Sequence, residues 1–90
     1  MIFVIICKDK KKSLEKRLKA RSEHINYLKC LGKKLLMAGP ILDKKKQPEG
    51  SVIIINSEDR KEINNFLKND PYNRIGLFRE VKIVEFKKVF

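Results

Sequence analysis

The residues of this chain best suited to proton transfer at neutral pH are its single histidine, His24, and an aspartate far along the sequence, Asp70. An imidazole changes its charge near neutral pH, so a histidine oriented by a carboxylate can act as a general acid or base. We therefore take the two as candidate catalytic residues. Each also has a simpler explanation. A lone histidine at a helix edge is more often structural, and Asp70 followed by Pro71 has the pattern of a helix N-cap.

Two other residues could contact a substrate held beside this pair. The guanidinium of Arg21 could hold an anionic group, because its planar fork of N–H donors matches a carboxylate. The phenol of Tyr72 could donate a hydrogen bond. Both are candidate substrate-binding residues.

The first helical pattern must position Arg21 and His24. Ser13 is its predicted N-cap, and a buried stripe is expected at helical spacing, formed by Leu14, Leu18, Ile25 and Leu28. On a continuous helix, Arg21 projects from the middle of this stripe and His24 from its edge. A buried arginine is costly without a partner. Either the helix breaks near Ser22, or Arg21 and His24 line a polar pocket, and the two explanations are compatible.

Four stretches of β-forming residues surround two helical patterns. Residues 2–7 and 51–55 are unbroken apolar runs, typical of strands covered on both faces. A short strand over 35–38 is expected to end at Gly39 and Pro40, because proline cannot continue a ladder and glycine admits a close backbone or ligand. A polar loop over 43–50 follows. The last strand, 78–86, changes the phase of its alternation after position 83, which indicates a bulge or a change of covered face.

The second helical pattern lies between the third and last strands. Asn56 or Ser57 is its predicted N-cap, and its apolar face is formed by Ile63, Phe66 and Leu67. The resulting order is strand, helix, strand, strand, helix, strand. It predicts an α+β fold of the ferredoxin-like βαββαβ type, with a four-stranded antiparallel sheet whose first and third strands are central. Ninety residues make one domain, 1–90.

The predicted sheet has a second face that this chain does not cover. Right-handed crossovers place both helices on one side of the sheet. The central strands are nevertheless apolar on both sides. A second copy of the same sheet is the economical cover, so we expect a symmetric homodimer.

The formal net charge of +11 raises the question of a nucleic-acid partner. Most of the excess comes from lysine runs at element ends and loops, where solvated charge is tolerated. The third strand, residues 51–55, has none of the aromatic side chains on which RNA-recognition folds of this topology stack bases. A nucleic-acid partner is therefore not expected.

The cysteines and the remaining motifs narrow the chemistry further. Cys7 and Cys30 match no metal-ligand spacing and are expected to be buried and reduced in a cytoplasmic protein. The apolar opening is too short for a signal peptide or a membrane helix. There is no glycine-rich phosphate loop and no nucleophile elbow. We expect no metal, no cofactor and no membrane partner.

Several short motifs together resemble the YciI-like (YCII-related) family over nearly the whole chain. They are Asp9-Lys10, Ser13-Leu14-Glu15-Lys16-Arg17-Leu18, Arg21, His24, Ala38-Gly39-Pro40, Asp70-Pro71-Tyr72 and Phe86-Lys87-Lys88-Val89-Phe90. The resemblance implies a dimeric α+β barrel of ferredoxin-like subunits and an active site built on His24 and Asp70. One relative removes chloride from a hydroxyquinone-type substrate. This sequence differs from close relatives at two places near the site. Ser22 stands where they tend to carry proline, and the loop over 43–50 is shorter than theirs.

With this resemblance, we predict that His24 moves a proton on an unidentified small polar substrate while Asp70 orients the imidazole. Arg21, Gly39, Pro40 and Tyr72 would shape the site as substrate-binding residues. The alternative is a non-enzymatic dimeric module that binds a protein or a small ligand. An enzyme should have a concave, partly polar cavity containing His24, whereas an interaction module should show an exposed apolar patch.

Overall fold

The computed structural model describes residues 1–90. The elements follow the predicted order, and the helix start indicated by Asp70 and Pro71 begins a short helix before the last strand. Their bounds are β1 (Ile2–Asp9), α1 (Leu14–Lys29), β2 (Leu35–Leu42), β3 (Pro48–Asn56), α2 (Arg60–Asn69), α3 (Pro71–Arg74) and β4 (Phe78–Phe86). A single 3-10 turn, Gly32–Lys34, joins α1 to β2. No helix is long and apolar enough to cross a membrane.

The four strands form one antiparallel sheet in the order β2-β3-β1-β4. The ferredoxin-like α+β fold is therefore confirmed, and the two unbroken apolar runs are its central strands. In the β1–β3 ladder, Cys7 lies opposite Ser51. This register brings the end of β1 beside the beginning of β3, where the polar side chains of the site are found.

The core lies between one face of the sheet and the helices. Alternate residues of β1 and β3 face the helices, and α2 contributes the apolar face predicted for it. The buried members of this cluster are Phe3, Ile5, Cys7, Leu28, Ile53, Ile55, Ile63, Phe66 and Leu67. Strand alternation explains the set, since residues two apart point to the same side of a sheet.

The opposite face of the sheet is largely apolar, with Lys82 and Glu80 toward one end, and has no cover within the subunit. Val84 and Phe86 of β4 lie opposite Val4 and Ile2 of β1 on this face. The side chain of Phe86 is 51% exposed, and that of Met37 on β2 is 67% exposed. The phase change in the last strand therefore moves its apolar residues from the core face at Ile83 to the uncovered face at Val84, and it is not a bulge. The irregularity of this ladder lies elsewhere, between Lys8 and Asp9.

Helix α1 is continuous through Ser22, so of the two explanations offered for Arg21 the helix break is excluded. Its buried face also differs from the predicted stripe and consists of Arg17, Ala20, His24 and Leu28. Leu18 of the predicted stripe is exposed, and so is Arg21. This face is turned inward because the buried partners of Arg17 and His24 lie at the end of β1 and at the start of α3.

Strand β2 does not end at Gly39 and Pro40 but continues to Leu42, and β3 already begins at Pro48. The predicted loop over 43–50 is therefore shorter, 43–47. Proline is tolerated in β2 because this is an edge strand, where a missing N–H need not break a ladder.

Three smaller predictions are also corrected. The N-cap of α2 is Asp59, whose carboxylate accepts a hydrogen bond from the backbone N–H of Glu62, rather than Asn56 or Ser57. Ser13 precedes α1 as predicted, but its hydroxyl makes no capping bond. Cys7 is buried as expected, whereas Cys30 is exposed because it directly follows the end of α1 on the solvent side.

Candidate active site

A cavity of about 240 Å³ lies between α1 and strands β2 and β3. Its walls are formed by apolar side chains on both sides and by a few convergent polar groups. The lining residues are Arg17, Leu18, Arg21, His24, Ile25, Leu28, Ala38, Gly39, Pro40, Pro48, Ser51, Ile53 and Tyr72. All four predicted substrate-binding residues are among them, together with His24. Leu18 and Ile25, expected in the core, form part of the cavity wall instead.

His24 and Asp70 are in direct contact, as predicted. The imidazole Nδ1 lies 2.8 Å from Oδ1 of Asp70, and both side chains are buried. An ionised carboxylate only accepts hydrogen bonds, so Nδ1 carries the proton and Nε2 is left as the basic nitrogen. No protein group hydrogen bonds Nε2, and His24 lines the cavity. The free nitrogen is therefore the one available to a ligand. The catalytic role of the pair stays a prediction.

Asp70 also serves as a helix cap, so both explanations offered for it hold. It precedes α3, with Pro71 at the first helical position, and its Oδ1 accepts the backbone N–H of Tyr72 at 3.0 Å. The second oxygen, Oδ2, is buried without a hydrogen-bond partner. Asp70 does not line the cavity. Any influence of Asp70 on a ligand in the cavity would therefore pass through His24, as for a positioning residue rather than a group that touches substrate.

Tyr72 connects the histidine to a buried arginine. Its ring stacks on the imidazole of His24 with centroids 3.9 Å apart, and Cζ of Arg17 lies 4.6 Å from the ring centroid. Burial raises the pKa of the Tyr72 phenol, and the positive charges of Arg17 and Arg21 partly oppose this effect. The phenol therefore stays protonated at neutral pH and can serve as a hydrogen-bond donor.

A buried ion pair forms the end of the cavity and was missed by sequence reasoning. Nε and Nη2 of Arg17 donate to the carboxylate of Asp9 at 2.6 and 3.0 Å, and Nη2 also donates to Oγ of Ser51 at 2.8 Å. The side chains of Arg17 and Asp9 are only 4% and 5% exposed. Nη1 of Arg17 makes no protein hydrogen bond. One signal was available, since Arg17 precedes His24 by seven residues and so lies on the same helix face.

The remaining predicted residues lie at the mouth of the cavity. Arg21 is exposed there and makes no hydrogen bond or salt bridge within the chain. Gly39 and Pro40 belong to the opposite wall, in β2. A Cβ at Gly39 would meet no atom within 4 Å, so no close approach within the subunit requires glycine there.

Comparison with known proteins shows similarity over the whole chain. A YCII-related domain model matches residues 1–87. An uncharacterised protein of Haemophilus influenzae is 36% identical over 98 aligned positions, covering 100% of both chains. Protein YciI of Escherichia coli is also 36% identical with the same coverage.

Two solved structures extend the comparison. The 5-chloro-2-hydroxyhydroquinone dehydrochlorinase of Burkholderia phenoliruptrix, in complex with 2,5-dihydroxybenzoquinone, superposes with a TM-score of 0.90 at 33% identity. The match covers 97% of this chain and 94% of that one. An antibiotic biosynthesis monooxygenase superposes with a TM-score of 0.61 at 19% identity over 99% of each chain, which indicates a shared fold alone.

Proposed function

This chain belongs to the YCII-related domain family, and from that premise we propose that it catalyses proton transfer on a small polar substrate in the cavity beside His24. The observation that carries the proposal is the contact of 2.8 Å between His24 Nδ1 and Asp70 Oδ1, which leaves Nε2 free at the cavity. The similarity to a dehydrochlorinase supports a small-molecule reaction over a purely structural role.

The proposed step begins when Nε2 of His24 removes a proton from an acidic C–H or O–H bond of the substrate. The electron pair of that bond moves onto the substrate and develops negative charge on an oxygen. The proton resides on the imidazole, and the adjacent carboxylate of Asp70 stabilises the imidazolium. The imidazolium, whose proton exchanges with solvent, then gives a proton to another position of the substrate, back to the same position, or to a leaving group.

Three donors are placed to stabilise the developing oxyanion. Arg17 has one terminal nitrogen, Nη1, without a protein partner, Ser51 accepts from Arg17 and keeps its own proton to donate, and the phenol of Tyr72 is protonated. All three residues line the cavity. Donors fixed before the reaction begins stabilise charge that appears in the transition state, which is the larger part of many enzymes' rate enhancement.

We further propose a homodimer in which the uncovered faces of two sheets pack together. Val84 is 41% exposed and Phe86 51% exposed, and they lie beside half-buried apolar residues of the central strands on a face that carries Lys82 and Glu80 at its other end. A large exposed apolar patch of this kind is rare on a monomer and supports a protein interface. We also propose a cytoplasmic location, supported by two cysteines that form no disulfide.

Deuterium exchange tests the proposal without knowledge of the natural substrate. The protein is incubated in D₂O with enolisable carbonyl compounds and hydroxylated quinols, including 5-chloro-2-hydroxyhydroquinone, and C–H signals and free chloride are followed. We expect catalysed exchange or chloride release with the wild type and its loss in His24→Asn. Tyr27→Phe, which changes a side chain outside the cavity, is the fold control. Equal activity in His24→Asn, or none in the wild type, would favour a non-enzymatic ligand-binding module.

A further inference from the structure

The ionisable side chains that line the cavity are basic, apart from the Tyr72 phenol. Three of its lining residues can carry positive charge, and none is acidic. Asp9 neutralises Arg17 through two hydrogen bonds, and Asp70 sits behind His24. The uncompensated charge at the cavity therefore belongs to Arg21.

Arg21 is free to bind a ligand. Its guanidinium makes no hydrogen bond or salt bridge within the chain, although it lines the cavity wall one helical turn from both Arg17 and His24. Its positive charge also opposes the burial that raises the pKa of the Tyr72 phenol, another residue of the cavity lining. An unpaired arginine fork at the mouth of a cavity suits a carboxylate, which it can bind through two parallel hydrogen bonds.

The volume of the cavity limits the size of a ligand that can lie between Arg21 and the polar side chains beside His24. A cavity of about 150 Å³ accommodates benzene, and drug-sized ligands occupy roughly 300–1,000 Å³. At about 240 Å³, this cavity fits one substituted ring. Apolar residues of α1 and of the facing strands line it between its polar groups, which suits the faces of such a ring.

We infer that the substrate is a single-ring compound with two separate anionic or polar ends. One end is an oxygen that faces Arg17, Ser51 and Tyr72, and the other is a carboxylate that Arg21 binds at the mouth. Hydroxylated aromatic carboxylates are the chemical class that fits this description. The inference rests on the proposed function, because it places the reacting oxygen beside His24. It goes beyond that function by requiring a second group that takes no part in proton transfer.

Two probes that differ in one group test this assignment. They are 2,5-dihydroxybenzoate and 1,4-dihydroxybenzene, and their binding is followed by NMR through the ring signals of the single histidine. The wild type should bind the carboxylate at least about tenfold more tightly, the effect of one charge-assisted hydrogen-bonded pair. Arg21→Gln should abolish this preference by weakening the carboxylate probe alone. Arg21→Lys should restore only part of it, because lysine keeps the charge without the fork.

Lys19→Gln provides the matched control, because it removes the same charge from the same helix at an exposed position outside the cavity. It should leave both affinities unchanged. Equal weakening by Arg21→Gln and Lys19→Gln would overturn the assignment, since only the overall charge would then matter. Equal affinity of the wild type for both probes, or binding of neither, would overturn it as well. The proposed function fails separately, when His24→Asn retains the deuterium exchange of the wild type.

Discussion

Removing Arg17 should destabilise the protein strongly, because it leaves the Asp9 carboxylate buried without its partner. The two side chains are 4% and 5% exposed and are joined by contacts of 2.6 and 3.0 Å. Breaking one side of such a pair costs about 3–5 kcal/mol. A domain of this size has a total stability of about 5–15 kcal/mol. Arg17→Met should therefore lower the free energy of unfolding by a large fraction of the total.

Replacing both members of the pair separates stability from function. The double variant Asp9→Leu/Arg17→Met leaves no unpaired charge, and apolar substitutes for buried ion pairs are often neutral or stabilising. We expect it to recover most of the stability lost in Arg17→Met. It should not recover ligand binding or activity, because it lacks the guanidinium that faces the cavity.

Urea denaturation of the wild type, Asp9→Leu, Arg17→Met and the double variant completes a double-mutant cycle. The expected coupling energy is several kcal/mol, since neighbouring residues in one network are not additive. A loss of less than about 1 kcal/mol in Arg17→Met would refute the reasoning, because it would match a solvent-exposed pair. A double variant that loses the sum of the two single losses would refute it equally.

Three other regions give independent predictions. Gly50→Ala should destabilise the protein by about 1–3 kcal/mol in urea denaturation, because the new Cβ would overlap the backbone carbonyl oxygen of Cys7. Gly39→Ala is the control and should leave the stability unchanged, because its Cβ meets no atom within 4 Å. Burial raises the pKa of the Cys7 thiol to about 12, so it stays protonated at pH 8, and a thiol reagent should modify only Cys30 until the protein is unfolded. Val84→Lys should convert the proposed homodimer to a monomer by light scattering, and a monomeric wild type would contradict the dimer.

The sheet was predictable because its signals are local. Residues 2–7 and 51–55 are unbroken apolar runs, and only central strands with both faces apolar need such runs. The polar cap at Asp70 was equally local, because aspartate and proline at adjacent positions specify a helix start. His24 stood out as the single histidine, and a family resemblance linked it to Asp70.

The buried network of Arg17, Asp9 and Ser51 was not predictable in the same way. Asp9 and Ser51 meet Arg17 only because Cys7 pairs with Ser51 in the β1–β3 ladder, and no local pattern specifies that register. The orientation of α1 was misread for a related reason. Its buried face contains two polar residues whose partners lie elsewhere in the chain, so hydrophobic spacing selected the face carrying Leu18 instead.

The most direct test of the account is a ¹⁵N NMR measurement of the His24 ring during titration with 2,5-dihydroxybenzoquinone, in the wild type and in Asp70→Asn. We predict that Nδ1 carries the proton before and after ligand addition, that the signal of Nε2 moves on binding, and that Asp70→Asn removes the preference for this tautomer. A neutral ring that carries its proton on Nε2 in the ligand-free protein, or an Nε2 signal that ignores the ligand, would contradict a catalytic base at this position.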